Sequence, residues 1–211
     1  MRAMKDAAFK FKPSIIFLSE TKKKKRYLKK IRMKMKTNDS FYVDLVGIAI
    51  GLTLWWSKEI DISILNFGKN FIHTLNGEEE WFLTFIYGPH YAEEKQMFWE
   101  SLASLRNNNS EKWCLIGDSN IVARPEEKLG GLPFDASSAK WYYDFTDASC
   151  LLELPLKGGT FTWSNHRSED ETILEKLEFF PKAIGVLDAV ASDHALIFLL
   201  LRGMNKMYKK N

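Results

Sequence analysis

The chain has 211 residues, 45% hydrophobic and 27% charged, with seven Trp and fifteen Phe. That is enough apolar material for one α/β domain with a real core, and too much for a disordered chain. Two cysteines, Cys114 and Cys150, are too few for a disulfide framework or a cysteine-built zinc site. No secretory apolar core opens the chain, and its longest apolar run, VGIAIGLTLWW, is too short to cross a bilayer. The expectation is a soluble, intracellular protein with no membrane partner.

In chain order, SIIFLSE (14–20) predicts a short buried strand. Residues 22–36, KKKKRYLKKIRMKMK, predict a helix with Leu28, Ile31 and Met35 facing inward. This block holds ten Lys or Arg and no acid, so its positive charge is local and the rest of the chain is net acidic. A block of that kind attracts phosphate backbones or serves as a nuclear address. The plainer alternative is a solvated helix face. FYVDLV (41–46), GLTLWW (51–56) and ISILNF (62–67) predict strands. NFIHTL (70–75) and WFLTFIYGP (81–89) predict a hairpin turning near Asn76-Gly77. AEEKQMFWESLASL (92–105) predicts a helix burying Phe98, Leu102 and Leu105.

KWCLIGD (112–118) predicts the next strand, with Cys114 as a buried thiol, and a long loop with two adjacent glycines follows it. SAKWYYDFTDASCL (138–151) predicts a helix with Trp141, Phe145 and Ala148 inward and Ser137 or Ser138 as its cap. FTWSN (161–165) and a segment within VASDHALIFLLLRG (190–203) predict the last strands. Short strands mixed with flanking helices imply sheets packed on each other with helices outside. Residues 1–203 form one expected domain, and 204–211 a frayed tail.

Three apolar strands carry an acid at an edge: Glu20 after IIFL, Asp118 after WCLIG, and Asp193 with His194 before ALIFLLL. With extended backbone past Asp118, Asp118 and Asn120 would point to one side. Taken singly, each is an ordinary turn residue or solvated charge.

Their order is more specific. LSETK (18–22), IGLTLWW (50–56), IYGPH (86–90), GDSNIV (117–122), EEKLGG (126–131), TWSN (162–165), EKLE (175–178) and SDHA (192–195) occur in one sequence order. As a set they resemble the endonuclease/exonuclease/phosphatase, or deoxyribonuclease I-like, family. Within it they look most like the endonuclease domains of plant non-LTR (LINE-type) retrotransposons. The resemblance covers nearly the whole chain. It implies a four-layer α/β sandwich, two mixed sheets flanked by helices, and Mg²⁺- or Mn²⁺-dependent hydrolysis of DNA phosphodiesters. Glu20 would then hold the metal with support from Asp193. Asp118 would orient or deprotonate the attacking water. Tyr87 and Asn120 would donate to phosphate oxygens. His194 would contact the scissile phosphate, and Glu178 stands where the family has an aspartate that orients this histidine. Lys22, Lys23, Lys24, Lys25 and Arg26 would contact nucleic acid.

The chain also departs from the family pattern. No segment matches the family's first strand and its asparagine, so an open sheet edge is expected. Glu178 adds a methylene to the orienting carboxylate, Phe179 replaces an arginine, and the segment from EKLE to SDHA is short. GDSN replaces the GDFN pattern and removes a packing aromatic. The resulting expectation is an endonuclease of impaired activity. The alternative is a catalytically dead remnant that binds nucleic acid through its lysine segment.

Overall fold

Alternation along the strands builds the layers. In the computed structural model, residues 2–21, 23–35, 37–44, 51–77, 80–106, 112–153, 160–168, 171–179, 184–187 and 196–199 are described. After helix α1 (Arg2–Phe11) come β1 (Ile15–Leu18), helix α2 (Lys25–Lys34), β2 (Asp39–Val43) and β3 (Leu52–Trp56). The three strands form an antiparallel sheet in the order β1-β3-β2. Then come β4 (Ile62–Gly68), β5 (Phe71–Asn76), β6 (Trp81–Tyr87), helix α3 (Ala92–Ala103) and β7 (Lys112–Asp118). With β11 (Glu178–Phe179) they make a five-stranded sheet in the order β11-β7-β6-β5-β4. Its β6-β7 pair is parallel and the others are antiparallel, so the sheet is mixed. Helix α3 is the crossover that a parallel pair requires.

Residues two apart in a strand share a face. Ile15 and Phe17 of β1, Val43 of β2 and Leu52, Leu54 and Trp56 of β3 meet Ile72, Leu83, Phe85, Tyr87 and Cys114 of the second sheet. That cluster is the core between the sheets, and a Phe17–Phe85 ring contact with centroids 5.4 Å apart spans it. The residues between point outward. Ile16, Leu18, Tyr42 and Trp55 pack with Leu28 and Ile31 of α2. Ile86, Trp113 and Leu115 pack with Phe98, Trp99 and Leu102 of α3 and with Tyr142 and Phe145 of helix α4 (Lys140–Ala148). The layers therefore run α2, sheet, sheet, α3 with α4, which is the expected four-layer sandwich.

The apolar elements form as predicted, with boundaries shifted by a few residues. Helix α4 differs in phase: Tyr142, Phe145 and Thr146 are buried while Ala148 is exposed. Its N-cap position is Ala139, because a short 3₁₀ turn (Ala136–Ala139) precedes it and Asp135 accepts the Ser137 N–H at the start of that turn. Among the described residues β1 pairs only with β3, so it lies at a sheet edge. Cys114 is a buried free thiol, pushed up to about 12 by burial. The expected tail, 204–211, lies outside the described residues.

Three of the recurring motifs meet in one small sheet. β8 (Lys128–Leu129) of EEKLGG and β9 (Trp163–Ser164) of TWSN flank β10 (Leu174–Glu175), which opens EKLE. Gly130 has φ +76°, and a Cβ there would come within 2.2 Å of the Thr172 carbonyl oxygen, so the glycine is required. A charge network centred on the buried Glu127 locks this sheet beside β7. Glu127 accepts from Lys176 Nζ at 2.8 Å and from the backbone N–H groups of Ala123 (3.0 Å) and Arg124 (3.1 Å). Glu153 pairs with both Arg124 and Lys176.

Removing one member of a buried network leaves charges and N–H donors without partners. Glu127→Ala is therefore expected to cost about 3–5 kcal/mol in urea denaturation. Asp144→Ala, which breaks only the exposed pair with Lys140, is expected to stay within about 1 kcal/mol.

Candidate functional site

The parallel register of β6 and β7 sets Tyr87 opposite Asp118 at the C-terminal ends of both strands. Tyr87 belongs to the core between the sheets, and Asp118 lies two places beyond Ile116, which packs on the same core. Both are buried, at 2% and 7% exposure.

Two glycines permit the close approach. A Cβ on Gly88 would lie 2.1 Å from the Ser119 carbonyl oxygen, and one on Gly117 would lie 2.1 Å from that of Ile86. The Gly88 N–H donates to the Asp118 carbonyl at 2.7 Å. Past Asp118 the backbone does not stay extended: Asn120 is left-handed, with φ 51°. Asparagine tolerates that conformation better than most residues. The turn folds Asn120 back onto the site. Its N–H donates to Asp118 Oδ1 at 2.7 Å, its Nδ2 donates to the Gly88 carbonyl at 2.7 Å, and its own carbonyl accepts from Lys95 Nζ at 3.2 Å. Burial lowers the pKa of the Lys95 ammonium.

Glu20 comes from the other sheet. It follows β1 and is also left-handed, with φ 45°, a conformation that costs a glutamate roughly 1–3 kcal/mol. Its carboxylate hydrogen-bonds the Tyr87 phenol. His90 completes the group, with Nε2 2.7 Å from Tyr87 Oη and 3.7 Å from Glu20 Oε1. The Tyr87 phenol is held well above the usual phenol range. Burial contributes most, then the hydrogen bond from the phenol to Glu20, then the charges of Glu20 and Asp118, while a hydrogen bond from Asn120 opposes them.

The structure thus brings Glu20, Tyr87, Asp118 and Asn120 into one polar cluster where the core between the sheets ends. Glu178 is the antiparallel register partner of Asp118, on the strand flanking β7. Lys23, Lys24, Lys25 and Arg26 are exposed around the start of α2, a few residues beyond Glu20. Lys22, Asp193 and His194 lie outside the described residues.

Sequence reasoning passed over three contributors. His90 stands inside the quoted IYGPH but carries no motif of its own. Lys95 reads as a solvated helix charge until α3 is placed against the β7 end. Ser119, where the family pattern has phenylalanine, donates through both its N–H (2.8 Å) and its hydroxyl (2.6 Å) to the Leu177 carbonyl. These bonds tether GDSN to EKLE.

A raised native phenol pKa means the folded chain binds more protons than the unfolded one above about pH 10, the unfolded phenol value. Stability from this group is complete below that pH and is lost as pH rises past it. Tyr142 is raised in the same direction, first by burial. In alkaline titrations followed by circular dichroism, Tyr87→Phe is expected to make the fall of stability above about pH 10 shallower than in the wild type.

No family model and no curated protein matches the chain. Solved structures do. An AP endonuclease from Archaeoglobus fulgidus superposes with a TM-score of 0.68 at 13% identity, over 93% of this chain and 91% of that one. A Neisseria 3′ phosphatase, NExo, bound to a product DNA hairpin, gives 0.64 at 13% identity over 93% and 91%. The endonuclease domain of TRAS1, a telomere-specific non-LTR retrotransposon, gives 0.58 at 15% identity over 75% and 77%. At such identities the likeness is one of fold: the chain has the deoxyribonuclease I-like fold that these structures share.

Proposed function

We propose that this chain is a metal-dependent phosphodiesterase of the DNA-endonuclease type, related to plant non-LTR retrotransposon endonucleases, with its centre at Glu20, Tyr87, Asp118 and Asn120. The observation that carries the reading is the register pairing of Tyr87 with Asp118 at the mouth between the sheets, with Glu20 reaching them from the opposite sheet. The ordered motifs support the retroelement lineage.

The donor set suits a hard cation. Mg²⁺ takes one or two carboxylates and keeps several waters. Glu20, with its side chain 28% exposed, fits that role. Among the described residues, no group of three His, Cys, Asp or Glu side chains could hold a metal, so a closed cage built from them is not the type of site expected. When bound, the ion supplies charge neutralisation on the phosphate and leaving oxygen. The chain's own groups do the rest. Asp118, desolvated and fixed by the Asn120 N–H, orients an attacking water and takes its proton. Tyr87, kept protonated by burial and two carboxylates, donates to a phosphate oxygen. Asn120 braces the site through Gly88 and offers its amide beside the phenol. His194 and Asp193 keep the roles the resemblance implies. Glu178, a longer carboxylate than the family's, lowers turnover. The protein would act inside the cell, with the lysine block available as a nuclear address.

The test is nicking of supercoiled plasmid with Mg²⁺ and with EDTA. Wild-type nicking is expected only with the metal, and Asp118→Asn and Glu20→Gln are expected to lose about 100-fold or more while keeping the native circular dichroism. Nicking that survives EDTA or the Asp118→Asn change overturns the reading.

A second reading, a nucleic-acid-binding remnant without catalysis, draws on the exposure of Lys23, Lys24, Lys25 and Arg26. Under either reading these side chains contact phosphates. Replacing all four with glutamine is expected to flatten the plot of log affinity for duplex DNA against log salt, by about 0.9 for each phosphate no longer neutralised. An unchanged slope would remove this segment from the interface.

A further inference from the structure

The hydroxyl of Tyr87 has one proton and two lone pairs. Among the described residues, the Glu20 carboxylate, the Asn120 amide and the His90 imidazole reach it. An ionised carboxylate only accepts, and charge-assisted bonds outrank neutral ones. The phenol proton therefore goes to Glu20. Asn120 donates to one lone pair of the phenol oxygen. His90 Nε2, 2.7 Å away, faces the other, and only a donor fits there. At 3.7 Å from Glu20 Oε1, the same nitrogen is too far for a direct bond to the carboxylate. The His90 ring stands edge-on to the phenol, with centroids 5.6 Å apart and planes at 74°.

Resting on the nuclease reading above, we propose that His90 is a positioning residue for Tyr87: its Nε2–H donates to the phenol oxygen and so aims the single phenol proton at Glu20 and, with substrate bound, at a phosphate oxygen. The backbone makes this dependable. Gly88 is clamped to the end of β7 by its bond to the Asp118 carbonyl, and Pro89 fixes the next φ, so His90 is delivered three residues from Tyr87 with little freedom. The His90 side chain is half-exposed, so replacing it leaves the core intact.

Two measurements test the proposal. In histidine-¹⁵N-labelled protein, two-bond ¹H–¹⁵N correlations report which ring nitrogen carries the proton. The expected result is a His90 ring protonated at Nε2, whose Nε2 signal moves in Tyr87→Phe. A ring protonated only at Nδ1 overturns the proposal. In plasmid nicking, His90→Leu is expected to lose roughly 10- to 100-fold. His90→Gln, which restores an N–H donor, is expected to recover most of that, and His90→Leu is expected to add nothing in a Tyr87→Phe background. Independent, additive losses overturn it. If no variant nicks DNA, the nuclease reading fails by itself and the resonance experiment still decides the proton's place.

Discussion

The site depends on one pairing, the parallel ladder between β6 and β7. It ends both strands at the same level, so Tyr87 and Asp118 leave the sheet side by side. Side chains alternate along a strand, so a slip of one residue would send one of the pair to the opposite face. Several features guard against that slip. Gly88 and Gly117 let neighbouring backbones come closer than any side chain would allow. On the outer face the Trp113 indole N–H donates to the Thr84 hydroxyl at 2.7 Å, which ties the two strands together three residues short of the site.

The small sheet made from EEKLGG, TWSN and EKLE serves the same end. It contributes no group to the polar cluster directly. It holds Leu177, whose N–H donates to the Thr162 hydroxyl and whose carbonyl accepts twice from Ser119. Strand β11 is thereby laid beside β7 with residue 178 opposite Asp118. The buried Glu127 and the partly buried Glu153 and Lys176 sit behind this joint. Such networks are uncertain contributors to stability, but they demand one geometry, since any other leaves a charge unpaired. Their use here is to fix the position of one strand against another.

The strands were legible in the sequence as short apolar runs bounded by turn residues. Their faces were not, because both faces are covered: Leu52, Leu54, Trp55 and Trp56 are all buried, and so are Leu83, Phe85 and Ile86. Helix α4 was harder: KWYYDFTDA offers aromatic residues on most of its faces, and packing against Trp99 selected Tyr142 and Phe145 while leaving Ala148 in solvent. In the site, Asp118 and Tyr87 were legible from the order of the motifs. The braces were not. Lys95 lies 25 residues before Asn120, and Ser119 lies 58 before Leu177. Contacts at such separations follow from the fold alone. The left-handed turn at Asn120 also escaped an extended-strand argument, although asparagine is one of the residues that tolerate that conformation.

The charge distribution bears on why the proposed chemistry would need a cation. Glu20 and Asp118 converge on one phenol, and both push its pKa upward, so the centre is electrically negative where Tyr87 sits. A phosphodiester brought there would add a third negative charge at low dielectric, where like charges repel far more strongly than in water. The exposed Lys23, Lys24, Lys25 and Arg26 can draw a phosphate backbone toward the site. Lys95 is spent on the Asn120 carbonyl, and its ammonium is already disfavoured by burial. On the proposed function, a bound cation would supply positive charge at this cluster. Glu20, partly exposed and held in a strained conformation at the mouth, is the carboxylate placed to receive it.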